Sequence, residues 1–189
     1  MNIVDAISSA KLKLNMHNIQ SSKLDSEILL SAAIKKDRKF IILNPYYSID
    51  KNSYNHFKNL INKRSYGKPV AYLLKKKEFW NYEFKISRDV LIPRPDTEII
   101  IEQVLKITKN KKKLKILDIG VGSGCILLSI LNEKKDFNGV GIDISKKCID
   151  LSRINTFKLG LNNRVKFFKS DVDNFNNGKY DLIISNPPY

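Results

Sequence analysis

The stretch LKILDIGVGSGC, Leu114 to Cys125, decides how the second half of this 189-residue chain is read. LKILDIG is a short apolar run of strand length, and a helix is predicted from Ser123. Between them stand Gly120, Gly122 and Gly124, residues that permit a tight turn and let a ligand approach the backbone. The alternation continues: GVGIDI reads as a second strand, about 146–158 as a helix, RVKFF as a third strand and KYDLIIS as a fourth. Strands alternating with helices of this length predict right-handed βαβ crossovers. The expectation is an α/β fold with a parallel, Rossmann-like sheet and a site at the C-terminal ends of its strands.

The glycine pattern is G-x-G-x-G. A dinucleotide fingerprint, G-x-G-x-x-G, would place its third glycine at position 125, where the chain has Cys125. Asp118 stands two residues before the first glycine. A pyrophosphate prefers bare N–H groups and a positive helix end, whereas a carboxylate suits a cationic ligand such as S-adenosylmethionine, with its ammonium and sulfonium. Asp143, 19 residues beyond Gly124, ends the second strand at the spacing from which an acid accepts from both hydroxyls of a ribose. The alternatives are a structural turn for the loop and a cap of the helix near Ser145 for Asp143. The third strand ends at Ser170-Asp171-Val172. Asp171 could accept from an adenine amine or cap a turn, and Val172 could cover the ring.

The fourth strand ends in SNPPY, Ser185 to Tyr189. An amide or aromatic amine nitrogen is a poor nucleophile because its lone pair is delocalised, so methylating one requires its N–H2 to be held with the lone pair facing the methyl. The Asn186 side-chain oxygen and the Pro187 carbonyl can accept its two hydrogens, Pro188 stiffens the turn, and Tyr189 can pack on the planar group. A Pro-Pro turn with a packing tyrosine is the structural alternative.

The first 70 or so residues follow a different pattern. Ile3, Val4, Ile7 and Leu14 recur at helical spacing, and a second helix starts at Ser22 with Asp25 as a capping-box partner. FIILNPYYSI breaks at Pro45; a third helix covers about 52–64, ended by Gly67 and Pro69. From Glu78, EFWNYEFKI supplies short β runs around Asn81, VLIP follows, and PRPDTE opens a helix whose apolar face includes Ile99, Ile100, Val104 and Leu105. The expected organisation is a helical docking domain over 1–76, a β-hairpin linker over 77–95 and the α/β domain over 96–189.

Hydrophobic residues make up 42% of the chain, enough for a packed core. The net charge of +15, from 34 Lys+Arg against 19 Asp+Glu, favours acidic partners or nucleic acid, or else reflects a coding bias that fills solvated positions with lysine. The runs Lys75-Lys76-Lys77 and Lys111-Lys112-Lys113 fall before predicted strands and read as solvated loops. Cys125 and Cys148 lack metal-ligand spacing, so buried thiols and no metal are expected. With no apolar leader and no run of about 18 apolar residues, the chain is expected in the cytoplasm, away from membranes.

IGVGSG, Asp143 and NPPY together resemble class I S-adenosylmethionine-dependent methyltransferases acting on planar nitrogen, a group that includes enzymes for DNA and RNA bases. The segment RSYGKPVAYLLKKKEFWNYEFKISRDVLIPRPDTE, Arg64 to Glu98, with LDSEILL before it, resembles the bacterial release factor glutamine methyltransferase (HemK/PrmC) family, and the likeness covers essentially the whole chain. It implies methyl transfer to the side-chain nitrogen of the glutamine in the Gly-Gly-Gln motif of peptide chain release factors, with the N-terminal helices docking that substrate. It also implies that Gly120, Val121, Gly122, Ser123, Gly124, Asp143, Val172 and Asn186 bind the cofactor, while Asn186, Pro187, Pro188 and Tyr189 hold the glutamine. Val121 stands where the family usually has threonine. A nucleic-acid amino-methyltransferase is the alternative, favoured by the charge but not by PRPDTE; an inactive remnant is the third reading. The family continues past NPPY, and Leu182-Ile183-Ile184 has the pattern of a strand buried on both faces. The sequence is therefore expected to stop early, and alone to be aggregation-prone and weakly active.

Overall fold

The computed structural model describes residues 1–187, and the chain divides into two compact units, Met1–Leu74 and one that starts at Lys75. The first unit consists of α1 (Ile3–Met16), α2 (Ser22–Ile34), α3 (Arg38–Leu43), α4 (Lys51–Ser65) and α5 (Val70–Leu74). The side chains of Asn2, Asp37 and Asp50 cap α1, α3 and α4 by accepting from backbone N–H groups in the first turn. Leu14, Leu29, Leu30 and Phe57 fill the core between the helices. Asp25, which the sequence pairs with Ser22 in a capping box, instead accepts from Ser21 Oγ and from Arg64 Nε at 2.7 Å, joining α2 to α4. The short helices α3 and α5, one ending before Pro45 and the other following Pro69, are additions to the expected set; they are too brief to show a period.

The second unit opens with an antiparallel hairpin, β1 (Lys76–Phe79) and β2 (Tyr82–Lys85). The lysine run at 75–77 thus enters a strand instead of lying in a loop, and Lys76 pairs with Glu83 across the hairpin at 2.6 Å. Trp80 at the turn has a positive φ of 55°, uncommon for a bulky residue. Its N–H groups hold it there: the backbone donates to Glu98 at 2.6 Å and the indole to Glu133 at 2.8 Å. These acids belong to α6 (Glu98–Ile107) and α7 (Cys125–Glu133), so the hairpin is fastened to the α/β part. α6 follows a 3-10 turn at Pro95–Thr97 and buries Ile101 and Val104, whereas Ile99, expected inside, is 57% exposed. Three consecutive isoleucines left the helix phase ambiguous; the buried pair at i and i+3 settles it.

β3 (Lys115–Ile119), β4 (Asn138–Asp143), β5 (Val165–Lys169) and β6 (Leu182–Ser185) form a parallel sheet in the order β5-β4-β3-β6, with α8 (Lys146–Lys158) between β4 and β5. The α/β fold expected from the alternation is the one found. From β3 the chain steps outward to β5 and then returns to the other side of β3, so the strand order reverses between β3 and β6, the point at which open α/β sheets form a crevice beyond the C-terminal ends of their strands. In β6, Ile184 is buried but Ile183 is 58% exposed, so among the described residues the 182–184 run is not covered on both faces.

β4 carries glycine where neighbours crowd it. A Cβ on Gly139 would lie 2.8 Å from Leu127, and one on Gly141 2.8 Å from both Phe167 and Val121. Gly141→Ala should therefore destabilise the second unit by about 1–3 kcal/mol through overpacking. Denaturant unfolding followed by fluorescence of Trp80, the single tryptophan, reads this directly; an unchanged midpoint would show that Phe167 and Val121 yield freely.

Candidate active site

Three left-handed glycines build the loop between β3 and α7, with φ of 73° at Gly120, 56° at Gly122 and 81° at Gly124. The Gly120 and Val121 N–H groups both donate to Ile142 O at 2.9 Å, and Gly124 N–H donates to Val121 O at 2.8 Å. The glycines differ in what their missing side chains leave. A Cβ on Gly124 would press on Leu128 at 3.0 Å, whereas one on Gly120 would meet nothing within 4 Å. Gly124 thus serves packing, and Gly120 leaves the mouth of the loop open.

Asp143, at the end of β4, closes the loop from the other side. Its Oδ2 accepts from Gly122 N–H at 3.0 Å and its Oδ1 from Ser145 N–H at 2.8 Å. Ser145 is the N-cap of α8, accepting from Cys148 N–H, so Asp143 is not the cap of that helix. It is half-buried, and each of its oxygens has a further lone pair. An open glycine cradle beside a carboxylate with acceptor capacity for a diol fits the nucleoside and amino-acid parts of S-adenosylmethionine.

The other candidates divide. Val121 and Ser123 are buried, 5% and 2% exposed, so only their backbone is available to a ligand. Asp118 is only 1% exposed and its Oδ1 has no partner in the protein. Desolvation pushes its carboxyl up to about 8, against a lowering by the Leu127 N–H of α7 and a further rise from Asp143. Its side chain is thus buried at the end of β3 against α7, whose Leu127 N–H it accepts from. Asp171 accepts from the Asn174 N–H and amide at 2.8 Å, closing a turn, and these bonds hold its carboxyl below the usual range. Val172 beside it is 53% exposed. Burial pushes the Cys125 thiol up to about 12 and raises that of Cys148, so neither is a nucleophile. Among the described residues no group of acids, histidines and cysteines could hold a metal.

On β6, Ser185 pairs with Ile119 of β3, and its hydroxyl donates to Ile119 O at 3.0 Å. Asn186 follows, half-buried, at the same end of the sheet as the glycine loop, and Pro187 is exposed. Pro188 and Tyr189 lie outside the described residues. Asn186 Nδ2 approaches Thr97 Oγ1 at 3.4 Å. That contact engages the amide nitrogen, and Oδ1 is the acceptor end of the side chain.

Residues 5–74 match the family model of the PrmC N-terminal domain, and residues 96–189 that of the methyltransferase small domain. The release factor glutamine methyltransferase of Buchnera aphidicola (Acyrthosiphon pisum) is 40% identical across the whole chain, which covers 67% of that relative. The chain belongs to the release factor glutamine methyltransferase family. The Clostridium acetobutylicum member is 41% identical over 192 residues, again with 100% of this chain and 67% of the relative covered. The chain thus spans about two thirds of the length of these curated relatives. Among solved structures, an RNA methyltransferase from Salinibacter ruber in complex with S-adenosyl-L-homocysteine aligns over 50% of this chain and 60% of its own, at 20% identity and a TM-score of 0.44.

Thr97 lies within the PRPDTE segment that marks the family resemblance, and its place beside Asn186 emerges only in three dimensions, 89 residues away in sequence. Asp118 allows a test of the electrostatics. Its carboxyl is raised from an ordinary 3.8 to about 8, so the folded state keeps a proton that the unfolded chain releases in that window. The contribution is fully favourable below the lower value and is lost as pH rises toward the upper one. Asp118→Asn removes this decline: thermal melts should show the variant gaining on the parent from pH 5 to pH 8.5. A gap that does not change with pH would mean Asp118 is ionised in the fold.

Proposed function

We propose that this chain is a protein glutamine N-methyltransferase, moving a methyl group from S-adenosylmethionine to the side-chain nitrogen of the glutamine in the Gly-Gly-Gln motif of peptide chain release factors. One observation carries the reading. The pairing of Ile119 with Ser185 sets Asn186, the next residue, beside the start of the glycine loop, so cofactor loop and amide-holding turn share the crevice where the strand order reverses. The name of the relatives supports a release-factor glutamine over a nucleobase.

S-adenosylmethionine, when bound, supplies a methyl group made electrophilic by its sulfonium. Gly120 leaves room for it, the loop would present backbone to it, and Asp143 would accept from the ribose hydroxyls while keeping its bonds to Gly122 and Ser145. Val172 would cover the adenine, while Asp171 keeps its turn with Asn174. The Asn186 oxygen and the Pro187 carbonyl would accept the two hydrogens of the glutamine amide and turn its lone pair toward the methyl. The nitrogen would take the methyl as the carbon–sulfur bond breaks and S-adenosylhomocysteine is released, and would then give up one of these two protons to solvent, so the protein would lower the barrier chiefly by orientation. Thr97 keeps the Asn186 amide turned for that task. The helical unit docks the release factor, which places the protein in the cytoplasm; no described helix is long and apolar enough to cross a membrane.

Incubating the protein with labelled cofactor and, separately, purified release factor, total RNA and DNA tests the reaction. Label should appear on the Gly-Gly-Gln glutamine, located by mass spectrometry; label in nucleic acid would transfer the assignment to base methylation. Asn186→Ala should lower kcat by roughly a hundredfold, the order lost with one transition-state hydrogen-bonding group, with a much smaller change in cofactor affinity. Near-parental kcat would return SNPPY to a structural turn. Asp143→Ala should weaken S-adenosylhomocysteine binding by about 1.5–3 kcal/mol in calorimetry, the range for hydrogen bonds to a charged group. Unchanged affinity, or tight NAD binding by the parent, would remove the cofactor assignment.

A further inference from the structure

Asn155, within α8, has no exposed surface, yet its amide bonds to main chain outside its own helix. Its Oδ1 accepts from Lys85 N–H at 2.7 Å, and its Nδ2 donates to Lys85 O at 3.1 Å and to Ser123 O at 2.9 Å. Ser152, three residues earlier and also fully buried, donates to Gly122 O at 2.8 Å. The i, i+3 spacing sets both on one face of α8. A buried amide left without partners is costly, so its bonds define where the groups around it can sit.

Two consecutive loop carbonyls are therefore anchored to α8. Because C=O and N–H point in opposite directions across a trans peptide, anchoring Gly122 O turns the Ser123 N–H away from the helix. Anchoring Ser123 O likewise sets the peptide that carries the Gly124 N–H, which donates to Val121 O. The same amide grips both main-chain groups of Lys85, where the hairpin ends. Val90, five residues on, packs with Cys148 and Leu151 of α8, and a Cβ on Gly122 would be 3.6 Å from it. This segment leads on to Thr97 and its contact with Asn186.

We propose that Asn155 and Ser152 are positioning residues that hold the Gly122-Ser123-Gly124 backbone in the orientation that S-adenosylmethionine meets, and that Asn155 ties this loop to the hairpin. The proposal rests on the cofactor reading above for its ligand, but not for the clamp itself. Neither side chain is required to touch the ligand.

The test compares the parent with Asn155→Ala, Ser152→Ala and a remote control, Thr108→Ala. Thr108 is a buried hydroxyl bonded to Val104 O at 2.6 Å, and its carbonyl contacts Lys134, just past the end of α7 opposite the loop. The readouts are amide hydrogen exchange at Gly122 and Gly124, the S-adenosylhomocysteine dissociation constant by calorimetry, and the melting temperature. Both clamp variants should speed exchange at these two amides and weaken binding by about five- to tenfold, the worth of one net hydrogen bond. The control should lose a comparable part of its melting temperature while leaving both loop readouts at the parental value. Parental exchange in both clamp variants, or equal acceleration in the control, would overturn the clamp. Should Asn155→Ala fail to fold, Ser152→Ala decides the outcome by the same measurements. If the parent itself does not bind S-adenosylhomocysteine, the cofactor reading falls, and exchange at Gly122 and Gly124 still decides the clamp.

Discussion

The carboxylate of Asp143 holds two backbone N–H groups at once, that of Gly122 in the loop after β3 and that of Ser145 at the start of α8. One side chain thereby aligns the end of β4 with the two segments that flank the crevice. The rest of the site follows from that alignment. The loop needs positive φ at three positions and has glycine at each, so its backbone is unstrained and lies close to the strand ends. α7 can begin directly at Cys125 because Gly124 bears no side chain to press into Leu128, and Gly139 lets that helix lie close on β4.

Polar groups of the site are shared between support and chemistry. Ser152 and Asn155 are buried and bond the loop, and Asp118 and Ser123 are buried too, whereas Gly120 and Asn186 stand where a ligand can reach them. This separation suits methyl transfer to an amide, in which the protein must hold a weak nucleophile in one orientation more than it must generate a strong one.

Much of this was legible in the sequence because strand–helix alternation and glycine spacing are local signals. The α8 bounds at 146–158, the strand ends and the place of Asp143 all follow from residues close in the chain. What escaped depends on long-range contacts. Asp118 reads as an acid two residues from a glycine, and its burial against α7 is not visible in the sequence. Asn155 and Ser152 look like ordinary polar residues of a helix; their partners, Lys85 and Gly122, lie 70 and 30 residues away. Asp25 carries a capping spacing, yet Arg64, 39 residues distant, claims its carboxylate. In the isoleucine run before Val104, composition alone does not say which side turns inward.

A crystal structure of the chain with S-adenosylhomocysteine tests the central claim most directly. Binding at the crevice described here puts both ribose hydroxyls on the Asp143 carboxylate, with the glycine loop against the amino-acid portion and Asn186 facing the sulfur. A nucleoside seated at the N-terminal ends of the strands, or at the glycine loop with Asp143 turned away from the ribose, would contradict it.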